Sequence, residues 1–215
     1  MRCPSNGGML SITAGPDGAL WFTNAGYGNN SIGRITTAGV VTNYTDSSID
    51  DPEGITAGPD GSLWFTKGNS SIGRITTAGK VTNYAVTPES GPYGITVGPD
   101  GALWFTGDGN NSIGRITTPA TISLTPNSGA PGTDVDVSGN GFDPGDSITV
   151  KYKTGLNAPN PTTEIICTAT AASDGSFTCS GDIPSGATAG AAGSHKIVVK
   201  GKPSGVKTNT TFTIT

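Results

Sequence analysis

The sequence has 215 residues, of which only 13% are charged, and it carries a net charge of -4 at pH 7. Its 34 glycines and 15 prolines leave no place for long amphipathic helices, which excludes helical repeat folds. The acidic balance argues against a general nucleic-acid or anionic-membrane surface, and no basic partner surface is visible in the sequence.

The N-terminus shows no apolar stretch of the kind found in signal peptides, and no later run reaches the ~18 apolar residues of a membrane span. Residues 7–12 stand where later copies of a repeat have Pro52-Glu53-Gly54-Ile55. This mismatch predicts that the chain begins partway through a longer gene product. The function of Cys3, close to this end, is left open between a free thiol and the partner of a cysteine that the chain lacks.

Three near-copies of one segment follow one another in the first half of the chain. Each contains Ile-Thr-Ala/Val-Gly-Pro-Asp-Gly-Ala/Ser-Leu-Trp-Phe-Thr and then Ser-Ile-Gly-Arg-Ile-Thr-Thr. The tryptophans at 21, 64 and 104 give a period of roughly 40 residues, which is typical of propeller blades. Pro-Asp-Gly between short apolar runs predicts a tight hairpin, and two further strands follow it. Each repeat is therefore predicted to form one four-stranded blade.

These motifs carry a resemblance over residues 7–118. The pattern Pro-x-Gly-Ile-Thr-x-Gly-Pro-Asp-Gly-x-Leu-Trp-Phe-Thr, followed by Ile-Gly-Arg-Ile-Thr-Thr-x-Gly-x-Val-Thr-x-Tyr, resembles the virginiamycin B lyase (streptogramin B lyase) family. The resemblance implies a seven-bladed propeller, in which the characterised enzymes open cyclic depsipeptides by elimination with a divalent cation and a His/Glu set. It implies fold more safely than activity.

The catalytic residues that the resemblance implies are not found at the matching positions. Glu53 and Tyr93 stand where histidines would be expected, and Asn24, Lys67 and Gly107 stand where a glutamate would follow Trp-Phe-Thr. An elimination needs a base and a group that stabilises the enolate-like charge. We therefore expect no catalytic residues in this chain, unless further blades supply them.

Acidic residues in the linkers that lead into the blades form the best candidate site. Such linkers lie at one face of a propeller near its channel, where ligands bind. The candidate ligand-binding residues are Asp51, Glu53, Glu89 and Tyr93, and Asp50, Asp51 and Glu53 are candidate ligands for Mg²⁺ or Ca²⁺. The alternative is that these acids are solvated loop residues.

Three kinds of residue recur once per repeat and could suggest cation, anion or sugar sites. We interpret the aspartates as turn residues: Asp17, Asp60 and Asp100. We expect the arginine guanidinium groups to stack on tryptophan or to pair with a turn carbonyl: Arg34, Arg74 and Arg115. We expect the tryptophans to pack between the blades: Trp21, Trp64 and Trp104.

Three blades would leave two apolar blade faces in water. Either further blades precede Met1, or two chains associate as a homodimer that closes a six-bladed ring. The first explanation is preferred.

From residue 119 the repeat pattern stops, and about seven short strands separated by turn signals predict an immunoglobulin-like sandwich over 119–215. The run Thr-Pro-Asn-Ser-Gly-Ala-Pro-Gly-Thr followed by Ser-Gly-Asn-Gly-Phe resembles bacterial Ig-like modules of the IPT/TIG type, which serve as spacers or adhesive units. The predicted fold class is all-β, with three four-stranded blades in residues 1–118 and this sandwich.

Cys167 and Cys179 flank a Ser-Asp-Gly turn, so we predict a disulfide across a hairpin and hence an oxidising compartment. His195, the single histidine, has no matching Ser and Asp motif and is interpreted as a surface or hairpin residue.

These observations predict an extracellular or cell-surface protein with a binding, adhesion or scaffold function. The expected partners are a glycan, the cell wall or a peptide ligand, with no nucleic acid and no membrane insertion. The alternatives are a metal-dependent C–O lyase whose catalytic blades lie outside the chain, and a gene fragment without separate function.

Overall fold

The computed structural model describes residues 8–26, 30–68, 70–86, 91–157, 160 and 162–215. Contacts divide the chain into two compact units, one of Met1–Gly98 with Ala102–Thr118 and one of Pro99–Gly101 with Pro119–Thr215. Apart from one short 3-10 helix, Gly186–Ala189, the regular structure of the described residues consists of strands. The predicted all-β fold class, a partial propeller with an Ig-like sandwich, is confirmed.

The described residues of the first unit form three antiparallel sheets, one for each repeat. The strands of the first sheet are β1 (Gly8–Ala14), β2 (Leu20–Ala25), β3 (Ser31–Ile35) and β4 (Val41–Tyr44). Those of the second are β5 (Pro52–Ala57), β6 (Leu63–Lys67), β7 (Ser71–Ile75) and β8 (Val81–Ala85). The third sheet consists of β9 (Pro92–Val97), β10 (Leu103–Gly107) and β11 (Ser112–Ile116). We refer to the sheets as blades 1, 2 and 3.

The prediction of four strands in every blade is wrong for blade 3. Blades 1 and 2 each contain four strands in chain order, whereas the sheet of blade 3 has the order β11-β10-β9. The physical reason lies in the sequence after Thr118. Ala-Gly-x-Val-Thr-x-Tyr, which forms the outer turn and strand of the other blades, is replaced there by Pro119 and Ala120.

The Pro-Asp-Gly turns fix the inner hairpins, as predicted. In blade 1, the amide of Gly15 donates to the carbonyl of Ala19 over 2.7 Å, and Gly18 adopts a φ of 74°. A positive φ of this kind is accessible to glycine at little steric cost. The turn sets the register of the β1–β2 hairpin that it joins, in which Thr13 lies opposite Trp21.

Apolar residues of neighbouring blades form shared clusters. Trp21 and Ile32 of blade 1 pack with Leu63 and Phe65 of blade 2 in one buried cluster. A second cluster joins Trp64 and Ile72 of blade 2 to Leu103 and Phe105 of blade 3. The blade-packing interpretation of the tryptophans is confirmed for Trp21 and Trp64, which are fully buried.

A threonine hydroxyl also connects each blade to the next. The Oγ1 atom of Thr23 donates to the carbonyl of Glu53 over 2.6 Å, and that of Thr66 donates to the carbonyl of Tyr93 over 2.6 Å. Both threonines are fully buried. The final Thr of Trp-Phe-Thr thus links the inner strand of its own blade to the first strand of the following one.

In the part of the second unit that the structure describes, the strands form two sheets. The first has the order β12-β14-β17 and the second the order β13-β19-β18-β15-β16. Their strands are β12 (Thr121–Thr125), β13 (Ser128–Gly129), β14 (Asp134–Asn140), β15 (Ser147–Lys153), β16 (Thr163–Thr170), β17 (Phe177–Asp182), β18 (Gly193–Lys202) and β19 (Lys207–Ile214). Alternating residues such as Val135, Val137, Ile148, Val150 and Phe212 form a single buried core. This is the alternation of a two-sheet sandwich.

The predicted disulfide between Cys167 and Cys179 is present, with the two Cα atoms 6.0 Å apart. Its predicted position across a hairpin is wrong, because β16 and β17 belong to different sheets. Cys167 pairs with Val150 of β15, whereas Cys179 pairs with Val137 of β14. The turn between the cysteines is a corner between the sheets, so the disulfide joins the two layers of the sandwich.

Candidate functional site

The acidic linker before β5 has a fixed conformation. Asp51 adopts a φ of 45°, and its carbonyl accepts a bond from the Gly68 amide over 3.1 Å. A side chain at Gly68 would place its Cβ 2.6 Å from the Asp51 carboxylate. Asp50 accepts a bond from the Asn30 side chain over 3.3 Å. The linker is therefore tied to the loop after β6 through the Asp51 carbonyl, and the Asp50 carboxylate has a partner within the protein.

Glu53 is half-buried at the start of β5. Burial raises the pKa of Glu53, and the negative charge of Asp51 raises it further. Both effects disfavour the ionised carboxylate. A proton acceptor at this position is therefore available only above the pH at which an ordinary glutamate ionises.

The residues proposed as metal ligands do not fit a cation as a set. Across the described part of the chain, no group of three or more His, Cys, Asp or Glu side chains is arranged to hold a metal ion. Glu89, the fourth candidate acid, lies outside the described residues, as does Cys3. Asp50, Asp51 and Glu53 by themselves do not form a Mg²⁺ or Ca²⁺ site of the usual oxygen-rich kind.

Lys67 occupies the position at which the family resemblance implies a glutamate. Its side chain is buried, and its ammonium group donates to the carbonyl of Ser48 over 2.9 Å. Burial lowers the pKa of Lys67, and the negative charge of Asp50 opposes that change. Sequence reasoning did not foresee this structural lysine, which fastens β6 to the preceding linker.

Tyr93 lies at a cavity. It is 57% exposed and, with Thr106, Asp108, Asn111 and Ile113, lines a cavity of about 670 Å³ on blade 3. The strand of Glu53 lies directly against the backbone of Tyr93, since a Cβ on Gly54 would be 2.5 Å from the Tyr93 carbonyl. Glu53 and Tyr93 thus lie on the same side of the three blades, at equivalent positions of β5 and β9.

The repeated Asp, Trp and Arg residues form one cluster in each of blades 1 and 2. In blade 2, one carboxylate oxygen of Asp60 accepts from Trp64 Nε1 at 2.9 Å and the other from Arg74 Nε at 2.6 Å. The guanidinium lies 5.9 Å from the centre of the indole ring. Stacking on tryptophan is confirmed, whereas the second partner of the arginine is a carboxylate and not a turn carbonyl.

Blade 1 repeats this cluster at a more exposed position. Burial acts to raise the pKa of Asp17, but the bonds from Trp21 and Arg34 outweigh that effect and lower it below its usual range. In blade 3, the guanidinium of Arg115 again lies 5.9 Å from the ring centre of Trp104. These residues hold the hairpin to the third strand, so the structure gives them a role without any ligand.

His195 has a structural environment in the sandwich. It is buried and stacks on Tyr152, with ring centres 5.0 Å apart. Its Nδ1 lies 3.1 Å from the carbonyl of Lys153 and its Nε2 2.7 Å from that of Ala191. Both ring nitrogens face backbone oxygens. Of the two predicted positions, the surface one is wrong, because the side chain is buried, whereas the hairpin one holds, because His195 lies in β18 opposite Phe212 of β19.

Comparisons with known proteins place both halves of the chain. The sequence model of the virginiamycin B lyase family matches residues 2–137, and that of the macroglobulin-like domain matches residues 117–214. No curated protein sequence matches the chain. In the described residues, no helix has the length and apolar character that crossing a membrane requires.

Solved structures similar to the chain include two lyases. A catalytically inactive virginiamycin B lyase from Staphylococcus aureus with quinupristin is 27% identical, with a TM-score of 0.48, over 99% of this chain and 72% of its own. A streptogramin B lyase is 19% identical, with a TM-score of 0.39, over 100% of this chain and 85% of its own. A Bacteroides caccae protein of unknown function is 12% identical, with a TM-score of 0.40, over 81% and 67% respectively. By the match of the family model, this chain belongs to the virginiamycin B lyase family.

Proposed function

We propose that this chain is an extracellular or cell-surface binding and scaffold protein that uses the lyase fold without lyase chemistry. The disulfide between the two sheets of the sandwich supports an oxidising location. The propeller supports a scaffold role because each of its two end blades has an exposed apolar surface. The equivalent surfaces are buried where blade 1 meets blade 2 and where blade 2 meets blade 3.

One observation carries this proposal, namely the different exposure of equivalent residues in the repeats. Ile32 and Ile72 are fully buried against the following blade, whereas Ile113 of blade 3 is 63% exposed. At the other end, Ile12 of blade 1 is 61% exposed, whereas Ile55 is 5% exposed. Blade 1 and blade 3 thus each have an exposed apolar surface, and the equivalent surfaces of the other blades are buried in the contacts between blades.

We define the blade-3 face by Tyr93, Trp104, Thr106 and Ile113, and the blade-1 face by Met9, Leu10, Ile12 and Leu20. These faces match because they are the two halves of a contact that the chain already makes twice. In such a contact, Thr106 would donate to the carbonyl of Leu10, which stands where Glu53 and Tyr93 stand in the later blades.

The mismatch at residues 7–12 favours further blades as the cover of these faces. For the chain by itself we propose a second copy as the occupant, because that copy carries both of the matching faces. Two copies arranged head to tail would bury both pairs of faces and close a six-bladed ring, which is within the usual size range of propellers. In this homodimer the cavity beside Tyr93 is filled by the partner's first blade.

The residues at the lyase positions support the non-catalytic reading. Asn24, Lys67 and Gly107 do not supply the glutamate that the family resemblance implies at this position, and the ammonium group of Lys67 is bound to a backbone carbonyl. The acids near β5 offer no three-ligand metal site among the described residues. No elimination step is therefore assigned to this chain.

An activity assay with a binding assay tests this function. The purified chain is incubated with quinupristin and Mg²⁺, with and without EDTA, and its retention on isolated bacterial cell wall is measured in parallel. We expect retention without ring opening of the depsipeptide. EDTA-sensitive opening would overturn the proposal in favour of a metal-dependent lyase.

A further inference from the structure

One exposed sheet face of the sandwich gathers most of the chain's lysines. Six of the eight lysines lie in three neighbouring strands of the five-stranded sheet, and all six are exposed: Lys151, Lys153, Lys196, Lys200, Lys202 and Lys207. Lys67 and Lys80 are the other two. We call this set the lysine face. No basic partner surface is visible in the sequence because the acidic net charge of the chain conceals this local concentration.

Strand alternation places all six lysines on the same side of the sheet. Ile148, Val150 and Tyr152 of β15 point into the core, so the intervening positions point outward. The same holds for β18, in which Ile197 and Val199 point inward. Positions on this outward side of the described strands include no Asp, Glu or aromatic residue. Glu164 of β16 lies opposite Tyr152, on the inward side, and Asp134 and Asp182 lie in the other sheet.

The arrangement of the lysines has an energetic cost in the free protein. Lys200 of β18 lies directly opposite Lys207 of β19 in the register of the sheet. Like charges at directly opposed positions destabilise a sheet. An anion between the two side chains would remove that repulsion, so the face is better suited to a bound polyanion than to water alone.

The face also has a shape that can receive a ligand. A cavity of about 430 Å³ is lined by four of its lysines together with two apolar residues, namely Lys151, Lys200, Lys202, Lys207, Ile165 and Val198. Side chains of Thr149, Thr168 and Asn209 lie on the same outward side. These groups offer charge, hydrogen bonds and small apolar contacts along an extended surface.

We propose that the lysine face binds an anionic polysaccharide, a sugar polymer that carries carboxylate or similar charged groups. Lysines supply attraction to the acidic groups, threonine and asparagine bond to hydroxyls, and Ile165 and Val198 contact the C–H surfaces of the sugars. Single-stranded nucleic acid fits less well, because the outward positions of the described strands lack the aromatic side chains on which bases stack. This proposal rests on the extracellular binding role proposed above and names its partner.

The experiment measures binding of the full chain to immobilised polygalacturonate at low and high NaCl, with neutral dextran and oligothymidylate as comparisons. We expect binding to polygalacturonate that weakens with salt, since exposed charges are screened, and little binding to dextran. Equal binding to dextran, or tighter binding to oligothymidylate, would overturn the proposal.

A charge-reversal variant separates binding from folding. Lys207→Glu replaces the like-charge pair with Lys200 by an opposite-charge pair, so the sandwich should be at least as stable to urea as the wild type. Its affinity for polygalacturonate should nevertheless fall by at least about tenfold at low salt, because it replaces an attraction by a repulsion. Lys80→Gln, which removes an exposed lysine of blade 2, should bind like the wild type.

Unchanged affinity in Lys207→Glu, or an equal loss in Lys80→Gln, would refute the assignment of this face. Neither result bears on lyase activity or on association of the blades, which are measured separately. Failure of this proposal and failure of the proposed scaffold function are thus distinguishable.

Discussion

Replacing Thr66 by valine tests the contact that connects blades 2 and 3. The hydroxyl accepts from the amide of Gly54 at 2.8 Å and donates to the carbonyl of Tyr93 at 2.6 Å, and Thr66 is fully buried. Valine keeps the volume but leaves both backbone groups without this partner. An unsatisfied buried polar group costs about 1–3 kcal/mol. Since two groups lose their partner, we expect Thr66→Val to lower the free energy of unfolding by about 2–6 kcal/mol.

Thr106→Val is the matched control, because Thr106 occupies the same position in blade 3. Its hydroxyl accepts from the Gly94 amide at 2.9 Å, but the residue is exposed and water can replace that bond. We expect a cost within about 1 kcal/mol for the monomeric chain.

Urea unfolding followed by tryptophan fluorescence measures both variants. The three tryptophans, Trp21, Trp64 and Trp104, all lie in the blades, so the signal reports on the propeller and not on the sandwich. The protein is kept dilute enough to be monomeric. Equal losses of stability in the two variants would refute the reasoning, since they would show that the contact between blades contributes nothing.

Three further predictions concern stability. Because the pKa of Glu53 is raised in the folded state, its ionised form weakens the fold above that pKa, and the effect is absent below its unfolded value. Glu53→Gln should therefore stabilise the chain at pH 7 and have no effect below ~pH 4 in urea titrations; stabilisation that persists there would contradict this cause. The double variant Cys167→Ser/Cys179→Ser should have a free energy of unfolding about 3 kcal/mol lower, measured by urea unfolding followed by circular dichroism, because the disulfide closes a short loop and constrains the unfolded chain. An unchanged free energy of unfolding would contradict that constraint. Gly73→Ala places a Cβ 2.1 Å from a buried phenylalanine ring and should cost about 1–3 kcal/mol in thermal unfolding, whereas Gly8→Ala, at an ordinary 3.6 Å, should not.

The repeat strands could be predicted because turn residues punctuate them. Pro-Asp-Gly fixes each inner hairpin by local conformational preference, and the short apolar runs on either side have the period of half-buried strands. The missing outer strand of blade 3 was visible in the sequence as the loss of the repeat after Thr118. The bonds from Arg34 and Arg74 to the turn aspartates could not be predicted from the sequence, because in each bond the arginine lies 14 or 17 residues from its aspartate along the chain.

The disulfide and the lysine face show where sequence reasoning fails. A separation of 12 residues around a turn suits a hairpin as well as a corner between two sheets, so the pairing of Cys167 with Cys179 was predictable but its position was not. The six lysines of the lysine face are spread over residues 151–207. Only the sheet order, which sets β18 between β15 and β19, brings them together.

The candidate site was predicted only in part. Linker position alone drew attention to Asp51, Glu53 and Tyr93, and the structure places Tyr93 at a cavity. The same reasoning could not show that Asp50 bonds to Asn30 or that the backbone of Asp51 is tied to Gly68, because these partners lie in other loops. Nothing in the sequence marked Lys67 as a buried structural residue.

The central claim is that the open blade faces bind each other, and the absolute mass of the chain in solution tests it most directly. Light scattering on a sizing column, over a range of protein concentrations, should show a dimer at twice 21.5 kDa. Ile113→Asp, which places a charge in the centre of the blade-3 face, should remain at 21.5 kDa. A wild-type chain that stays at 21.5 kDa at every concentration would contradict the account.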